Sequence, residues 1–180
     1  MAKQKTIVTG GAGFIGSHIV DAFVAAGENV HVVDNYAAGK RDDRMNPKAT
    51  YHDTDIRDYE KLAPTIAGAT FVFHEAALPR VQFSIEHPLE TFAVNMIGTV
   101  NVLRAASEGR VSRVVIASSG SVYGDQQEMP LSESMRPQPK SPYGLQKQMS
   151  EEACKLWSEV YGLSTVALRY FNVYGSRMDP

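Results

Sequence analysis

The sequence predicts an α/β fold in which a parallel sheet is covered by helices on both faces. Three observations carry this expectation. Short apolar, β-branched runs alternate with longer stretches of helical period along the 180 residues. The short runs are apolar at successive positions, as in strands buried on both faces. A glycine cluster, Gly10-Gly11-Ala12-Gly13, separates the first run from the first helical stretch, where a strand has to turn sharply into a helix.

The elements follow in order. Thr6-Ile7-Val8 reads as the first strand. Phe14 to Ala26 reads as a helix with Ile15, Ile19 and Phe23 turned inward and Gly27 as its stop. Val30-His31-Val32-Val33 forms the second strand, ending at Asp34; Thr50 to Asp55 forms the third and Phe71-Val72-Phe73 the fourth. After Pro88, Leu89, Phe92, Met96, Val100 and Leu103 recur every three or four residues, the spacing of one buried stripe on a long helix. Val114-Val115-Ile116 is the fifth strand. A helix from Tyr143 to Tyr161, entered through Ser141-Pro142 and closed by Gly162, leads to a sixth strand at Thr165-Val166-Ala167-Leu168. Six or seven strands are expected in all. Between Gly124 and Pro142, Pro130, Pro137, Pro139 and Pro142 predict an ordered but irregular loop.

Composition narrows the function. With 43 % apolar and 21 % charged residues, the chain has the make-up of a water-soluble globular domain. The net charge is −2, and the strongest basic patch, Lys40-Arg41 with Arg44, suits one phosphate or a solvated loop; neither nucleic acid nor an anionic membrane is expected as a partner. No apolar stretch approaches the ~20 residues that span a bilayer. Cys154 is the sole cysteine, so no internal disulfide forms; with no leader-like opening segment, a cytoplasmic location is expected. No His/Cys/carboxylate cluster has metal-ligand spacing, so no metal is expected.

Two clusters carry chemistry. Gly11, Gly13 and Gly16 satisfy G-x-G-x-x-G, and Gly10, Gly13 and Gly16 satisfy G-x-x-G-x-x-G, in either case after a strand and at the opening of a helix. Such a loop turns tightly, lets a pyrophosphate approach the main chain and points helix N–H groups at it. Asp34 lies 18 residues beyond Gly16 at a strand end, where a carboxylate accepts from ribose hydroxyls and repels a 2′-phosphate, favouring NAD over NADP. Together these specify a Rossmann-type, doubly wound sheet over residues 1–180. Asp55-Ile56 either flanks the adenine or is a plain loop. Tyr143 and Lys147 lie four residues apart, one helical turn, so both leave the same face; an ammonium beside a phenol favours the phenolate and yields a base near neutral pH.

Thr9-Gly10-x-x-Gly13-x-x-Gly16, His74-Glu75-Ala76-Ala77, Asn95, Ser118-Ser119-x-x-Val122-Tyr123-Gly124, Tyr143-x-x-x-Lys147 and Leu168 through Gly175 together resemble the extended short-chain dehydrogenases. Within them the sequence is similar to the NAD-dependent nucleotide-sugar epimerase/dehydratase family, most of all to its UDP-hexose 4-epimerases. The resemblance implies that Tyr143 is the base at the sugar 4-hydroxyl and that Lys147 binds the nicotinamide ribose and lowers the tyrosine pKa. It implies that Ser119 bonds the same sugar oxygen and relays the proton, that Ser118 supports it, and that Asn172 reaches the substrate diphosphate. Asn95 would organise the site floor, unless it is a satisfied helix-interior amide. His74 to Ala77 would form the loop over the pyrophosphate and ribose, His74 itself being a satisfied strand-end residue. The cofactor set so implied is Gly10, Gly13, Phe14, Ile15, Gly16, Asp34, Asn35, Asp55, Ile56, Ala76, Ala77, Asn95, Ser118, Tyr143 and Lys147.

Related 4,6-dehydratases carry an acidic pair directly after the catalytic Ser/Thr, where this chain has Gly120 and Ser121. The resemblance therefore implies 4-epimerisation of a UDP-hexose through a transient 4-keto sugar. A nucleotide-sugar dehydrogenase or reductase on the same scaffold, or a silent NAD-binding module, are the alternatives. A homodimer through the two long helices is also implied. Members of this family are typically longer, so a C-terminal substrate lobe that follows Arg177-Met178-Asp179-Pro180 in them is expected to be missing from this chain, which then reads as an N-terminal part of the enzyme.

Overall fold

The computed structural model describes residues 4–178; Asp179 and Pro180, where the chain was expected to lead into a further lobe, lie outside it. Six parallel strands form one sheet: β1 (Lys5–Thr9), β2 (Asn29–Asp34), β3 (Thr50–Asp53), β4 (Phe71–His74), β5 (Arg113–Ser119) and β6 (Thr165–Tyr170). Their order across the sheet is β3-β2-β1-β4-β5-β6, so the direction of winding reverses between β1 and β4. Ile7 pairs with His31 on one side and Val72 on the other, and Val72 in turn pairs with Val114.

Alternate residues of each strand feed two apolar layers. Ile7, Val33, Val72, Val114 and Ile116 point to one face and pack with Leu62, Ile66, Val102, Leu103 and Cys154. Those residues come from α2 (Tyr59–Ile66), α5 (Thr99–Glu108) and α6 (Pro142–Tyr161). Val8, Val30 and Val32 point to the other face and pack with Val20, Ile19 and Phe23 of α1 (Phe14–Ala25). Beyond α1 that second face stays open at β6, where Val166 and Leu168 are exposed.

Local chemistry sets the helix ends. Asp58 caps α2 by accepting the Lys61 N–H, and Ser141 caps α6 by accepting the Gly144 N–H at 3.1 Å, with Pro142 at the first helical position and Gly162 closing the helix. Two elements were absent from the sequence reading: α2, whose eight residues include Pro64 and bury only Leu62 and Ile66, and the short α3 (Val81–Glu86). The long helix after Pro88 is a composite of α4 (Pro88–Phe92), one wider turn of π type over Ala93–Gly98, and α5. Its apolar stripe is not all inward: Met96 and Leu103 are buried, but Leu89 is 86 % and Phe92 40 % exposed. The third strand stops at Asp53, because Asp55 turns back on itself to accept the Arg57 N–H. Tertiary bonds hold the proline-rich loop, Gln138 N–H reaching the Val122 carbonyl at 2.9 Å and Gln126 the Tyr123 carbonyl at 2.7 Å. Among the described residues no helix is long and apolar enough to cross a membrane.

Candidate active site

The carboxyl ends of β1, β4, β5 and β6 meet at one edge of the sheet, around the point where the winding reverses. In open α/β sheets this is where a crevice forms. The loop after β1 turns into α1 over Gly10 to Gly13. Gly10 has φ +69°, and a Cβ there would lie 2.6 Å from the Ala76 nitrogen, so only glycine lets this loop pass against the one after β4. At Gly16 a Cβ would lie 2.2 Å from the Gly10 carbonyl oxygen, which seats α1 directly on the loop. Helix α1 starts at Phe14, leaving the N–H groups of Phe14 and Ile15 without intrahelical acceptors. Asp34 spans the same loop, accepting the Ala12 N–H at 3.0 Å and the Tyr36 N–H at 2.8 Å. A cradle that any Cβ would fill, open helix N–H groups and a fixed carboxylate at the end of β2 fit the pyrophosphate and ribose of a dinucleotide.

At the end of β4, His74 is buried and bonded on both ring nitrogens, to Thr9 Oγ1 at 2.6 Å and Thr99 Oγ1 at 2.9 Å. Thr99 donates its own hydrogen to the Asn95 carbonyl at 2.6 Å, so His74 Nε2–H must be the donor to Thr99 and Nδ1 the acceptor from Thr9. Burial holds this imidazole at a pKa of about 3, with the Lys147 charge adding to the effect. It is a neutral pin. The sequence reading placed Asn95 among cofactor contacts; its amide is instead fully committed, Oδ1 to the Leu78 N–H at 2.8 Å and Nδ2 to the Leu78 carbonyl at 3.1 Å and Gln146 Oε1 at 2.7 Å. Asn95 therefore shapes the Ala76–Leu78 loop from behind.

Strand β5 and helix α6 supply the reactive groups. Ser119 accepts the Ser121 N–H at 3.1 Å, and its hydroxyl acts on the Tyr143 phenol in the direction that favours the phenolate. Tyr143 is buried, and its backbone N–H is held by Ser84 Oγ at 3.1 Å. Lys147, one turn on, lies with Nζ 5.8 Å from the Tyr143 ring centroid and donates to the Ala117 carbonyl at 2.7 Å. Burial pushes the phenol above its ordinary range, only partly opposed by Ser119. Burial also pulls Lys147 down to about 8, with Glu75 pushing back. Burial thus outweighs the neighbours of the phenol, and its pKa lies above the ordinary range where the sequence led us to expect a depression. Ser118 points to the α6 side of the sheet and donates to Glu151 at 2.5 Å. Glu151 is gripped in turn by Arg169 at 2.7 and 2.9 Å, so Ser118 belongs to a packed ion-pair network.

Four other expected contacts follow the carboxyl ends of β2, β3 and β6. Asn35 donates to Asp55 at 2.9 Å, and Asp55 is bound by Arg57 at 2.7 Å, which holds its carboxyl down at about 2. Ile56 is core, pressed against the bare face of Gly98, with its carbonyl taken by Asn101. Asn172 sits exposed just beyond β6. Two features were missed. Glu75 turns into the crevice toward Lys147 and Tyr170; as one letter between His74 and Ala76 it gives no periodic signal. Arg44, read as part of a basic patch, is buried and donates to the Arg177 carbonyl at 2.5 and 3.2 Å. Arg177 bonds Asp21 at 2.7 Å and His18 at 3.2 Å, tying the segment after β6 to α1. Nothing local in the sequence links positions so far apart.

Residues 6–180 match the NAD dependent epimerase/dehydratase family. A putative UDP-glucose 4-epimerase of Methanocaldococcus jannaschii is 42 % identical over 97 % of the chain and 57 % of its own length. Thermus thermophilus UDP-glucose 4-epimerase, solved in complex with NAD, superposes with a TM-score of 0.93 at 40 % identity, covering 98 % of this chain and 58 % of that one. The UDP-N-acetylglucosamine 4-epimerase of Methanobrevibacter ruminantium, solved with UDP-N-acetylmuramic acid, gives 0.93 at 38 % identity over 99 % and 58 %. The chain thus spans a little over half the length of these relatives. With likeness of this degree along nearly its whole length, the chain belongs to the NAD dependent epimerase/dehydratase family.

Proposed function

We propose that this chain is the NAD-binding and catalytic part, residues 1–180, of a UDP-hexose 4-epimerase of the UDP-glucose/UDP-galactose type. The observation that carries the reading is the gathering of the glycine loop, Asp34, Ser119, Tyr143 and Lys147 at one edge of the sheet, with Lys147 Nζ 5.8 Å from the Tyr143 ring centroid. Relatives that are UDP-glucose 4-epimerases support the substrate class.

In this reading the pyrophosphate lies on the N–H groups of Phe14 and Ile15, Asp34 takes the adenosine ribose, and Ala76 and Ala77 close over the cofactor. Bound NAD supplies a hydride acceptor for the sugar's C4 that is regenerated in each turnover. Tyr143 takes the proton of the sugar 4-hydroxyl, and Ser119 holds the same oxygen and passes the proton on. Lys147 is the cation placed to favour the phenolate against its burial, once its hold on Ala117 is shared with a ribose hydroxyl. Asn172, exposed just beyond β6, would reach the substrate diphosphate. Gly120 and Ser121 offer no carboxyl group to eliminate water, which supports epimerisation over dehydration. The remaining length seen in the relatives would supply the sugar-nucleotide lobe, and the open apolar face at Val166, Leu168 and Phe171 supports its docking there.

A homodimer belongs to the same reading, supported by the exposed apolar side chains Leu89, Phe92, Leu145 and Leu156 on α4 and α6. So does a cytoplasmic location, supported by the unpaired, buried Cys154. The test is a coupled assay for UDP-glucose/UDP-galactose interconversion, on this chain and on the chain completed with the C-terminal part of a relative. Interconversion by the completed form is expected; NADH accumulation without interconversion would favour a dehydrogenase instead.

A further inference from the structure

Glu75 has no part in the mechanism above, yet it stands in the middle of the crevice. It is the first residue after β4, its N–H held by the Thr9 carbonyl at 3.0 Å. It lies hard against the glycine loop, since a Cβ on Gly10 would come within 2.8 Å of the Glu75 carbonyl carbon. Its side chain crosses the end of β5 to the end of β6, where the Tyr170 hydroxyl donates to Oε1 at 3.3 Å. Opposite stands the Lys147 ammonium on α6. Burial raises the carboxyl's proton affinity, while Lys147 and the Tyr170 hydrogen bond oppose it. Glu75 in turn supports the charge on Lys147 against its own burial. The other titratable groups near Lys147 are the Tyr143 phenol, raised by burial, and His74, lowered by burial and bonded to its two threonine partners. The crevice floor therefore carries one ammonium and one carboxylate.

We propose that Glu75, steadied by Tyr170 and facing Lys147, gives the cofactor site its preference for the oxidised, cationic nicotinamide over the reduced, neutral one. The inference rests on the NAD reading above. The adenosine half of the cofactor is the same in both oxidation states, so the glycine loop and Asp34 cannot tell them apart. Lys147 with a cationic nicotinamide would place two positive charges in a poorly solvated crevice, and Glu75 is the anion that offsets them. A carboxylate in that role makes the reduced form the less favoured one, which promotes return of the hydride to the sugar instead of loss of reduced cofactor.

Glu75→Gln in this chain tests it by titrating NAD⁺ and NADH separately at pH 7, where Lys147 still carries its charge. Losing one charge at this range weakens NAD⁺ by roughly tenfold, while NADH is expected to change less than twofold. Tyr170→Phe, which keeps the carboxylate but frees it, should shift the same ratio in the same direction by less. Equal weakening of both forms would make Glu75 a packing residue, and an unchanged ratio in both variants would equally overturn the proposal. Failure of the unaltered chain to bind either form would remove the cofactor reading itself, and this inference with it.

Discussion

Acid should unfold this protein earlier than its carboxylates alone dictate, and the cause is His74. The imidazole is buried at the junction of β1, β4 and the long helix, accepting from Thr9 and donating to Thr99. A second ring proton has no acceptor there, because Thr9 already points its hydrogen at Nδ1 and accepts the Ala76 N–H on its oxygen. Unfolded, the ring titrates near 6.5; folded, it is held at about 3. Between those values the unfolded chain binds a proton that the folded chain does not. His74 thus costs nothing above pH 6.5, and stability falls as pH drops below it, by about 1.4 kcal/mol per unit. Across the whole interval the loss approaches about 5 kcal/mol, a large part of the roughly 5–15 kcal/mol that a domain possesses. Asp55, held at about 2, loses its contribution only below its unfolded value of 3.8 and stays out of the range from pH 6 to 4, while Glu75, raised by burial, acts there with the opposite sign. His31 and His52 are also lowered by burial and share the sign, which makes a variant necessary. Urea unfolding of the wild type and His74→Gln at half-unit steps from pH 7 to 4 should give a wild-type slope steeper by close to one proton. Parallel slopes, or an NMR titration of the His74 ring near 6.5, would refute the reasoning.

Gly16→Ala must displace backbone, since its Cβ would sit 2.2 Å from the Gly10 oxygen, and should cost about 2–3 kcal/mol and most NAD affinity. Gly27→Ala meets open space at φ +85° and should cost only about 1 kcal/mol with NAD binding intact; equal effects in denaturation and cofactor titrations would contradict the close-packed loop. Asp34→Ala combined with Asn35→Arg should raise the NADP-to-NAD affinity ratio by about tenfold or more, measured by titrating both cofactors; an unchanged ratio removes Asp34 from the ribose. Arg169→Met strands the Glu151 carboxylate in a largely buried place and should cost about 2 kcal/mol or more in urea denaturation, with Glu151→Leu added restoring part of the loss.

The sequence made the sheet legible because most of its strands have short apolar centres and are separated by helices with strong stops such as Gly27 and Gly162. Helix α2 escaped because eight residues with Pro64 among them bury too few positions to show a period. Leu89 and Phe92 misled because a stripe with helical spacing marks a face to be covered, without saying whether the chain itself covers it. In the site, Gly10 to Gly16 stand out because one strand–turn–helix unit holds them, Asp34 because it ends the very next strand, and Tyr143 with Lys147 because one helical turn separates them. Asn95 was left open between a site group and a satisfied helix amide, and its side-chain bonds to Leu78 and Gln146 join residues too far apart in the chain for any local pattern to announce. Arg44 meeting Arg177, and Glu75 meeting Tyr170, depend on strand order, which brings together positions that the sequence holds 133 and 95 residues apart.

The assignment of Tyr143 as the base is the centre of this account, and Tyr143→Phe tests it most directly. In the chain completed with a relative's C-terminal part, UDP-glucose/UDP-galactose interconversion and NAD binding are measured on the same preparation. The account predicts loss of interconversion by about a thousandfold or more with NAD affinity nearly unchanged, since general-base catalysis supplies roughly 10²–10⁴ of the rate. Turnover within a few-fold of the unaltered protein, with NAD still bound, would contradict it.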